Sequence, residues 1–367
     1  MQTAGAGVAD RLSCESLKRL PRSKLVTSFY LYLEQLLEPM ELEFARPSVL
    51  LWGIMIVAGI DVSKKSLDCK IDGVSKVSRF TNNLKGFIKL SQRLEERGVT
   101  IVVLEATGGY ERAAHEFIWA SGISVSLVNP RQTRAFAYSL GKRAKNDLLD
   151  AEVLMEFGKK MEPRPTEPLA ENVRALRELI SRRGQLNKML VAEKNHAKAP
   201  NTSKTTIKSI RAILKTLQTQ IKALDVEIKA VIASDDELNS KAQILSQQTA
   251  VGPVLICTLL ADMPELGTLT RNQASALVGV APYDRDSGNM TGKRSISGGR
   301  VRVRNALYMA TICAIRHNPV IKQYYQHLLS RGKPRKVAIV ACMRKFIGFL
   351  NTLLKDNPEQ QFMTMKA

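Results

Sequence analysis

The feature that most constrains the fold is an unbroken spacing of aliphatic residues in the middle of the chain. They alternate steps of three and four: Ile207, Ile210, Leu214, Leu217, Ile221, Leu224, Ile228 and Val231. This spacing places all eight on one stripe of a long helix and is typical of a coiled-coil seam. A second helical pattern at 169–194 and a break near 199–201 predict an antiparallel hairpin. Its seams pair within the chain or with a second subunit, and the alternative is an amphipathic helix lying on a domain.

The segment before the hairpin has the pattern of a small α/β domain. The predicted strands cover residues 56–61, 67–71, 77–80, 99–104 and 125–128. The predicted helices cover residues 84–97, 110–120 and about 144–160. Three strands, helix, strand, helix, strand, helix is the order of a ribonuclease H-like domain, which we place at residues 55–162.

Four carboxylates stand at the ends of these elements. Asp61 and Glu105 end two strands, and Asp147 and Asp150 lie three residues apart on the last helix, so they share a face. Carboxylates crowded together repel unless a cation neutralises them, and hard oxygen ligands suit Mg²⁺ or Mn²⁺. Two such ions about 3.5–4 Å apart would support phosphodiester chemistry. The alternative is that these are solvated surface acids.

The charge of the chain points to a polyanionic partner. There are 55 Lys and Arg residues against 34 Asp and Glu, which gives a net charge of +21 over 367 residues. Aromatic residues make up only 5% of the chain, so contacts to phosphates rather than base stacking are expected to dominate. Generic solubility is the competing explanation for the charge.

Other classes of protein fit the sequence less well. The cysteines are odd in number and show no C-x-x-C pair, which indicates reduced core residues rather than disulfides or a zinc site: Cys14, Cys69, Cys257, Cys313 and Cys342. The apolar stretch at 48–60 is too short for a membrane span, and no secretion signal is evident. We therefore expect a cytoplasmic protein without membrane contact.

Proline clusters and composition divide the remaining chain. Residues 1–54 fit no domain pattern, and we hypothesise that Met55 is the natural start. Pro163, Pro165 and Pro168 predict a linker, so residues 163–240 hold linker and coiled coil. Residues 241–357 form a third, C-terminal domain, followed by a tail at 358–367.

The third domain offers two candidate phosphate sites. The turn at 249–253 feeds an apolar helix and resembles a helix-hairpin-helix element, in which backbone N–H groups near Gly252 would bind phosphate. The loop at 279–300 is rich in Gly, Ser and Arg, and Ser287 beside Gly288 is placed to act as a nucleophile. Four arginines offer planar forks that match phosphate: Arg294, Arg300, Arg302 and Arg304. A flexible basic surface loop is the alternative.

Together these motifs resemble those of a known family. The acids in their strand and helix settings, the run at 145–151, and the stretch at 281–300 followed by Leu307, Tyr308, Met309 and Ala310 resemble the DEDD recombinases of insertion sequence family one-ten, relatives of the Piv invertases. The resemblance covers about residues 55–357.

The resemblance implies a specific architecture and chemistry. It implies a RuvC-like domain, a coiled coil and a mainly helical C-terminal transposase domain, assembled as dimers or tetramers around a bridge RNA that pairs with donor and target DNA. By motif, Asp61, Glu105, Asp147 and Asp150 would be Mg²⁺ ligands and Ser287 the nucleophile, with Ser295 and Ser297 less favoured. The expected function is that of a transposase or site-specific recombinase. Two alternatives stay open: a RuvC-like metal-dependent nuclease or junction resolvase, and a catalytically inactive nucleic-acid-binding scaffold.

Overall fold

The structure is a computed structural model that describes residues 55–142, 147–200, 202–288, 290 and 292–355. At residues 147 and 148 it describes the backbone alone. The expectations for residues 1–54, for the start of the predicted helix at 144–160 and for the tail at 358–367 therefore fall outside the described residues.

The first domain is built on one mixed sheet of five strands. The strands are β1 (Val57–Val62), β2 (Ser66–Ile71), β3 (Ser78–Thr81), β4 (Ile101–Glu105) and β5 (Ser124–Val128), in the order β3-β2-β1-β4-β5. β2 is antiparallel to both β1 and β3, whereas β4 is parallel to both β1 and β5. The predicted meander followed by two further strands is confirmed.

Helices cover both faces of this sheet. They are α1 (Leu84–Glu96), α2 (Arg112–Ala120), α3 (Pro130–Ser139) and α4 (Asp147–Met161). Aliphatic residues of α1 and α2 pack on one face, while α4 packs on Val57, Ile101 and Val103 of the other. α3 was not predicted, although Asn129 caps it and Pro130 occupies its first turn, a combination that favours a helix start.

The proline-rich linker is fixed to the edge of the sheet. The backbone N–H of Thr166 donates to Val125 O at 2.7 Å, and its hydroxyl accepts from the N–H of Leu127 at 3.2 Å. The Ser126 hydroxyl lies 2.9 Å from the carbonyl oxygens of residues 163 and 164, and His115 Nε2 lies 2.7 Å from Thr166 O. The linker is therefore bound along β5 and covers this strand.

Two long helices follow, α5 (Glu171–His196) and α6 (Lys204–Ala233). Ser203 caps α6 by accepting a hydrogen bond from the N–H of Thr206. The start of α5 packs against the end of α6, and Leu186 and Leu190 pack against Leu217, so the two helices lie antiparallel as predicted. That their contact is a coiled coil stays a prediction. The aliphatic seam packs within the chain.

The remaining described residues are mainly helical. They form α7 (Asp236–Ser246), α8 (Pro253–Asp262), α9 (Arg271–Val278), α10 (Val301–His317), α11 (Pro319–Ser330) and α12 (Arg335–Leu353), with a hairpin of β6 (Pro282–Tyr283) and β7 (Ser295–Ile296). Apolar side chains of α8, α10 and α12 form a buried core that the base of the α5–α6 hairpin joins. Within the described ranges, no helix is both long enough and apolar enough to cross a membrane.

Candidate active site

Asp61 and Glu105 lie side by side on neighbouring parallel strands. Ile60 of β1 pairs with Leu104 of β4, so the two acids follow this pair in the same register. Side chains alternate along a strand, so Asp61 shares the sheet face of Val57, and Glu105 shares the face of Val103. Both valines face α4. The two carboxylates therefore leave the sheet on the side that α4 covers.

The first turns of α4 place Asp150 on the same side of the sheet. A Cβ atom added to Gly59 would lie 2.2 Å from Met155 N and 2.3 Å from Ala151 O, so the backbones of β1 and α4 are in contact. Asp150 precedes Ala151 and lines a cavity of about 570 Å³ together with Glu105. Asp147 begins the same helix one turn earlier. Its side chain lies outside what the structure describes.

α3 forms the other wall of this cavity. Thr133, only 4% exposed, donates a hydrogen bond of 2.5 Å to Glu105 Oε2. Arg131, Arg134 and Tyr138 also line the cavity, and the Arg134 guanidinium stacks 4.7 Å from the centre of the Tyr138 ring. These α3 residues were missed because no helix was predicted at 130–139. The Asn129–Pro130 pair, which is typical of a helix start, could have indicated this helix.

The chemistry of these donors suits a divalent cation. Asp61, Glu105 and Asp150 are partly exposed and offer only carboxylate oxygens, the donor type that Mg²⁺ and Mn²⁺ prefer. Among the side chains that the structure describes, no group of three or more His, Cys, Asp and Glu residues is arranged to hold a metal ion. Glu105 and Asp150 line one cavity and Asp61 lies at the end of the neighbouring strand, so a complete four-acid set would also need Asp147.

Ser287 stands on a separate, constrained loop between β6 and β7. Ser287 and Met290 exchange two backbone hydrogen bonds of 3.0 and 2.9 Å, and Gly288 between them has a φ of 53°. Asp286 Oδ1 accepts from the N–H of Gly292 at 2.9 Å. Ser287 lies at the surface and is not among the residues that line the cavity of Glu105 and Asp150.

Each of the four arginines near this loop has a partner within the chain. Arg300 makes a two-pronged ion pair with Glu265 and also donates to Asp262 O, and Arg302 lies 3.1 Å from Asp262 Oδ2. Arg304 donates to the carbonyl oxygens of Gly298 and Gly279. These three hold the loop on α8 and α9 in the described state.

Arg294 differs from the other three. Its guanidinium lies 2.5 Å from the carboxylate of Asp284, and their side chains are 67% and 61% exposed. An ion pair this exposed contributes at most about 1 kcal/mol, so a phosphate can replace the carboxylate at small cost. Arg294 is therefore the arginine best placed to meet a ligand.

The ion pair of Glu265 and Arg300 also lowers the pKa of the Glu265 carboxyl. Burial raises the pKa of the Glu265 carboxyl, but the hydrogen bond and charge of Arg300 outweigh that effect and hold the pKa below its ordinary value of 4.5. The carboxylate thus stays charged to more acid pH than usual. This pair ties the start of α10 to the end of α8.

Gly252 is the N-cap of α8, with Pro253 in the first turn. Gly252 is exposed, and a Cβ atom added to it would meet nothing within 4 Å. The first N–H groups of α8 therefore end at an open surface, and the helix-hairpin-helix role stays a prediction. A larger cavity of about 1230 Å³ lies between the linker, α5 and the C-terminal region, and neither Glu105 nor Ser287 lines it.

Comparisons with known proteins match both halves of the chain. Residues 58–200 match a family model described as a transposase of the DEDD type, and residues 242–326 match the transposase IS116/IS110/IS902 family. The pilin gene-inverting protein of Moraxella lacunata is 30% identical over 314 residues, which cover 82% of this chain and 95% of the relative. That of Moraxella bovis is 29% identical over the same shares. An insertion element IS110 protein of Streptomyces coelicolor is 24% identical over 123 residues, 33% of this chain and 30% of that protein.

Proposed function

The chain belongs to the IS116/IS110/IS902 family of transposases and is a DNA transposase or site-specific recombinase, and we propose that it exchanges DNA strands through the Ser287 hydroxyl. In this proposal Asp61, Glu105, Asp147 and Asp150 hold divalent metal, Mg²⁺ or Mn²⁺. A structured guide RNA pairs with donor and target DNA. The proposal of a guide RNA is based on the family resemblance alone.

The observation that carries the proposal is the placement of three acids on the same side of the sheet. Asp61 and Glu105 follow paired strand residues, and Asp150 lines the cavity of Glu105. Transposases of the DEDD type generally use divalent metal ions, and these carboxylates supply the hard oxygen ligands that such ions need. The metal, when bound, would supply electrostatic stabilisation of charge on the reacting phosphate.

Side chains of the protein would carry out the remaining steps of strand exchange. Ser287 Oγ would lose its proton and attack a DNA phosphorus, so that an O–P bond forms to serine while the bond to one strand oxygen breaks. That oxygen leaves with a proton. A hydroxyl of the second strand then attacks the phosphoserine and releases the serine, and the phosphodiester bond energy is conserved without ATP. Arg294, after leaving Asp284, would stabilise charge on the phosphate oxygens.

The absence of Ser287 from the lining of the acid cavity is compatible with a site completed between subunits. Ser287 is exposed on its loop, and the acids open on a cavity whose walls are α3 and α4. We propose that the two parts meet between subunits of a homo-oligomer, a dimer or tetramer assembled through the coiled-coil hairpin. Mixing two inactive variants, Ser287→Ala and Glu105→Gln, should then restore part of the activity, whereas a site within one subunit gives no rescue.

A covalent adduct tests the chemistry directly. The protein, Mg²⁺, RNA transcribed from the flanks of its gene and a DNA carrying the same flanks are incubated and run on a denaturing gel. We expect a protein–DNA adduct that is lost in Ser287→Ala and kept in the matched control Ser297→Ala. An adduct that persists in Ser287→Ala refutes the nucleophile. Cleavage without any adduct indicates a metal-dependent nuclease, and tight binding to uncut DNA indicates a scaffold. Omitting the RNA tests its part separately.

A further inference from the structure

A second face of α6, away from its aliphatic seam, carries a row of basic side chains. At 3.6 residues per turn the row falls within roughly 60° of the helix circumference, about a third of a turn from the seam. Its members are Lys204, Lys208, Arg211, Lys215 and Lys222, and all five are exposed. We call these five residues the α6 basic row.

The α6 basic row has no acidic counterpart. In the described part of the chain, none of the five residues lies within ion-pair distance of a carboxylate. Of the acids on α6, Asp225 pairs with Arg183, and Glu227 lies beyond the end of the row. On the facing part of α5, Glu193 lies against His196. Like charges at spacings of three and four destabilise a helix slightly, so folding does not explain the row.

The length and composition of the row fit the backbone of a DNA duplex. Eighteen residues separate Lys204 from Lys222, which at 1.5 Å per residue gives a length of about 27 Å. Duplex DNA rises 3.4 Å per base pair, so the row can follow about eight base pairs of phosphates. α6 holds no aromatic residue, which favours phosphate contacts over stacking on bases. Because the chain belongs to a transposase family, duplex DNA is the polyanion that we expect it to bind.

We propose that the α6 basic row is a binding surface for the phosphate backbone of duplex DNA, separate from the acids and from Ser287. The row lies towards the free end of the hairpin, whereas the base of the hairpin packs into the C-terminal core. DNA flanking the exchanged strands would be held there without regard to sequence. The inference deepens the proposed function by naming where DNA is held, and it depends on action on DNA but not on the serine chemistry.

Binding of a 30-base-pair duplex to the full-length protein, measured in EDTA across a range of salt, tests the row. The test variant changes Lys204, Lys208, Arg211 and Lys215 to Gln, which keeps helix propensity. The control changes Lys76, Lys85, Lys89 and Arg97 to Gln, removing the same charge from exposed positions on the first domain. Each lost phosphate contact should lower the slope of log K against log salt by about 1, so the test variant should lose about 3 to 4 in slope and at least about 30-fold in affinity near 0.1 M salt.

The outcomes separate the proposal from its competitors. A test variant whose affinity stays within twofold of wild type and whose slope changes by less than about 1 overturns the proposal. An equal loss in the control also overturns it, because it would mean that only net charge matters. A variant that loses duplex RNA binding but keeps DNA binding assigns the row to RNA and overturns it too. An altered oligomeric mass by light scattering, with DNA binding kept, makes the row a subunit contact instead. A four-residue Lys/Arg exchange in the row should retain binding. The binding assay contains EDTA and needs no strand cleavage. Its result therefore stays valid even if the serine adduct of the proposed function is not found.

Discussion

Thr133 and Glu105 are joined by a hydrogen bond of 2.5 Å from the threonine hydroxyl to Oε2 of the carboxylate. The threonine is 4% exposed and belongs to α3, while the glutamate ends β4. If Glu105 holds metal as proposed, this buried donor would fix the orientation of its carboxylate, and Thr133 would be a positioning residue for the acid site.

Thr133→Val should weaken metal-dependent strand cleavage while keeping the fold. Loss of a hydrogen bond to a ligand of this kind typically costs 10–100-fold in metal affinity or activity, so we expect about 10-fold with a higher Mg²⁺ concentration for half-maximal rate. Thr133→Ser keeps the hydroxyl and should behave like wild type. An equal Mg²⁺ requirement in both variants would show that the hydroxyl does not position Glu105.

Gly59→Ala should destabilise the first domain. The added methyl would lie 2.2 Å from Met155 N, where backbone atoms cannot move aside, so α4 must shift away from β1. Forced shifts of this kind cost about 1–3 kcal/mol in the free energy of unfolding. Gly184→Ala is the matched control, because it lies within α5 with nothing within 4 Å and should gain about 0.5–1 kcal/mol. Urea unfolding of both proteins checks the contrast, and similar stabilities would contradict the close contact.

Gly292→Ala should reduce adduct formation more than stability. A Cβ there would lie 2.2 Å from Arg285 O, which would move the loop that carries Ser287. Gly298→Asn offers the comparison: it lies in a left-handed conformation with nothing within 4 Å, and Asn tolerates that conformation. We expect at least about a tenfold slower adduct in Gly292→Ala and near wild-type rates in Gly298→Asn, by analogy with the cost of misplacing a reactive group. Equal rates would mean that the loop tolerates displacement.

The ion pair of Glu265 and Arg300 predicts an acid-sensitive C-terminal domain. The pKa of Glu265 is below 4.5 in the folded state, so its stabilisation is present above that pH and is lost as the pH falls through the lowered pKa. The side chain is 41% exposed, so solvent limits the effect to less than about 1 kcal/mol. Glu265→Gln should flatten this part of the stability curve between pH 6 and pH 3.5. Parallel curves for the two proteins, measured by urea unfolding, would remove Glu265 as the cause.

The sheet and the hairpin could be predicted because their signals are local. The strands of the first domain are short apolar runs, and the seam of α6 repeats without interruption, so each pattern specifies its own element. Register then follows, and with it the neighbourhood of Asp61 and Glu105. α3 escaped prediction because its few buried residues, Thr133 and Ala137, give a weak pattern.

The pairing of the arginines could not be predicted from the sequence. Glu265, the partner of Arg300, lies 35 positions earlier, and Asp262 lies further still. Composition alone cannot distinguish an arginine that is available to bind phosphate from one that is paired with a carboxylate of the same chain. Only the packing of α10 against α8 makes that distinction, and it leaves Arg294 as the exposed member of the set.

The bonds between the linker and β5 bear on how this protein can be divided. β5 ends the sheet, and Thr166 occupies part of its outer edge by bonding to the carbonyl oxygen of Val125 and the N–H of Leu127. A strand edge left open pairs readily with another chain and leads to aggregation. A fragment that stops at residue 162 would expose this edge, whereas one that continues through residue 170 would retain its cover. For expression of the first domain alone, the proline-rich segment is therefore part of the domain.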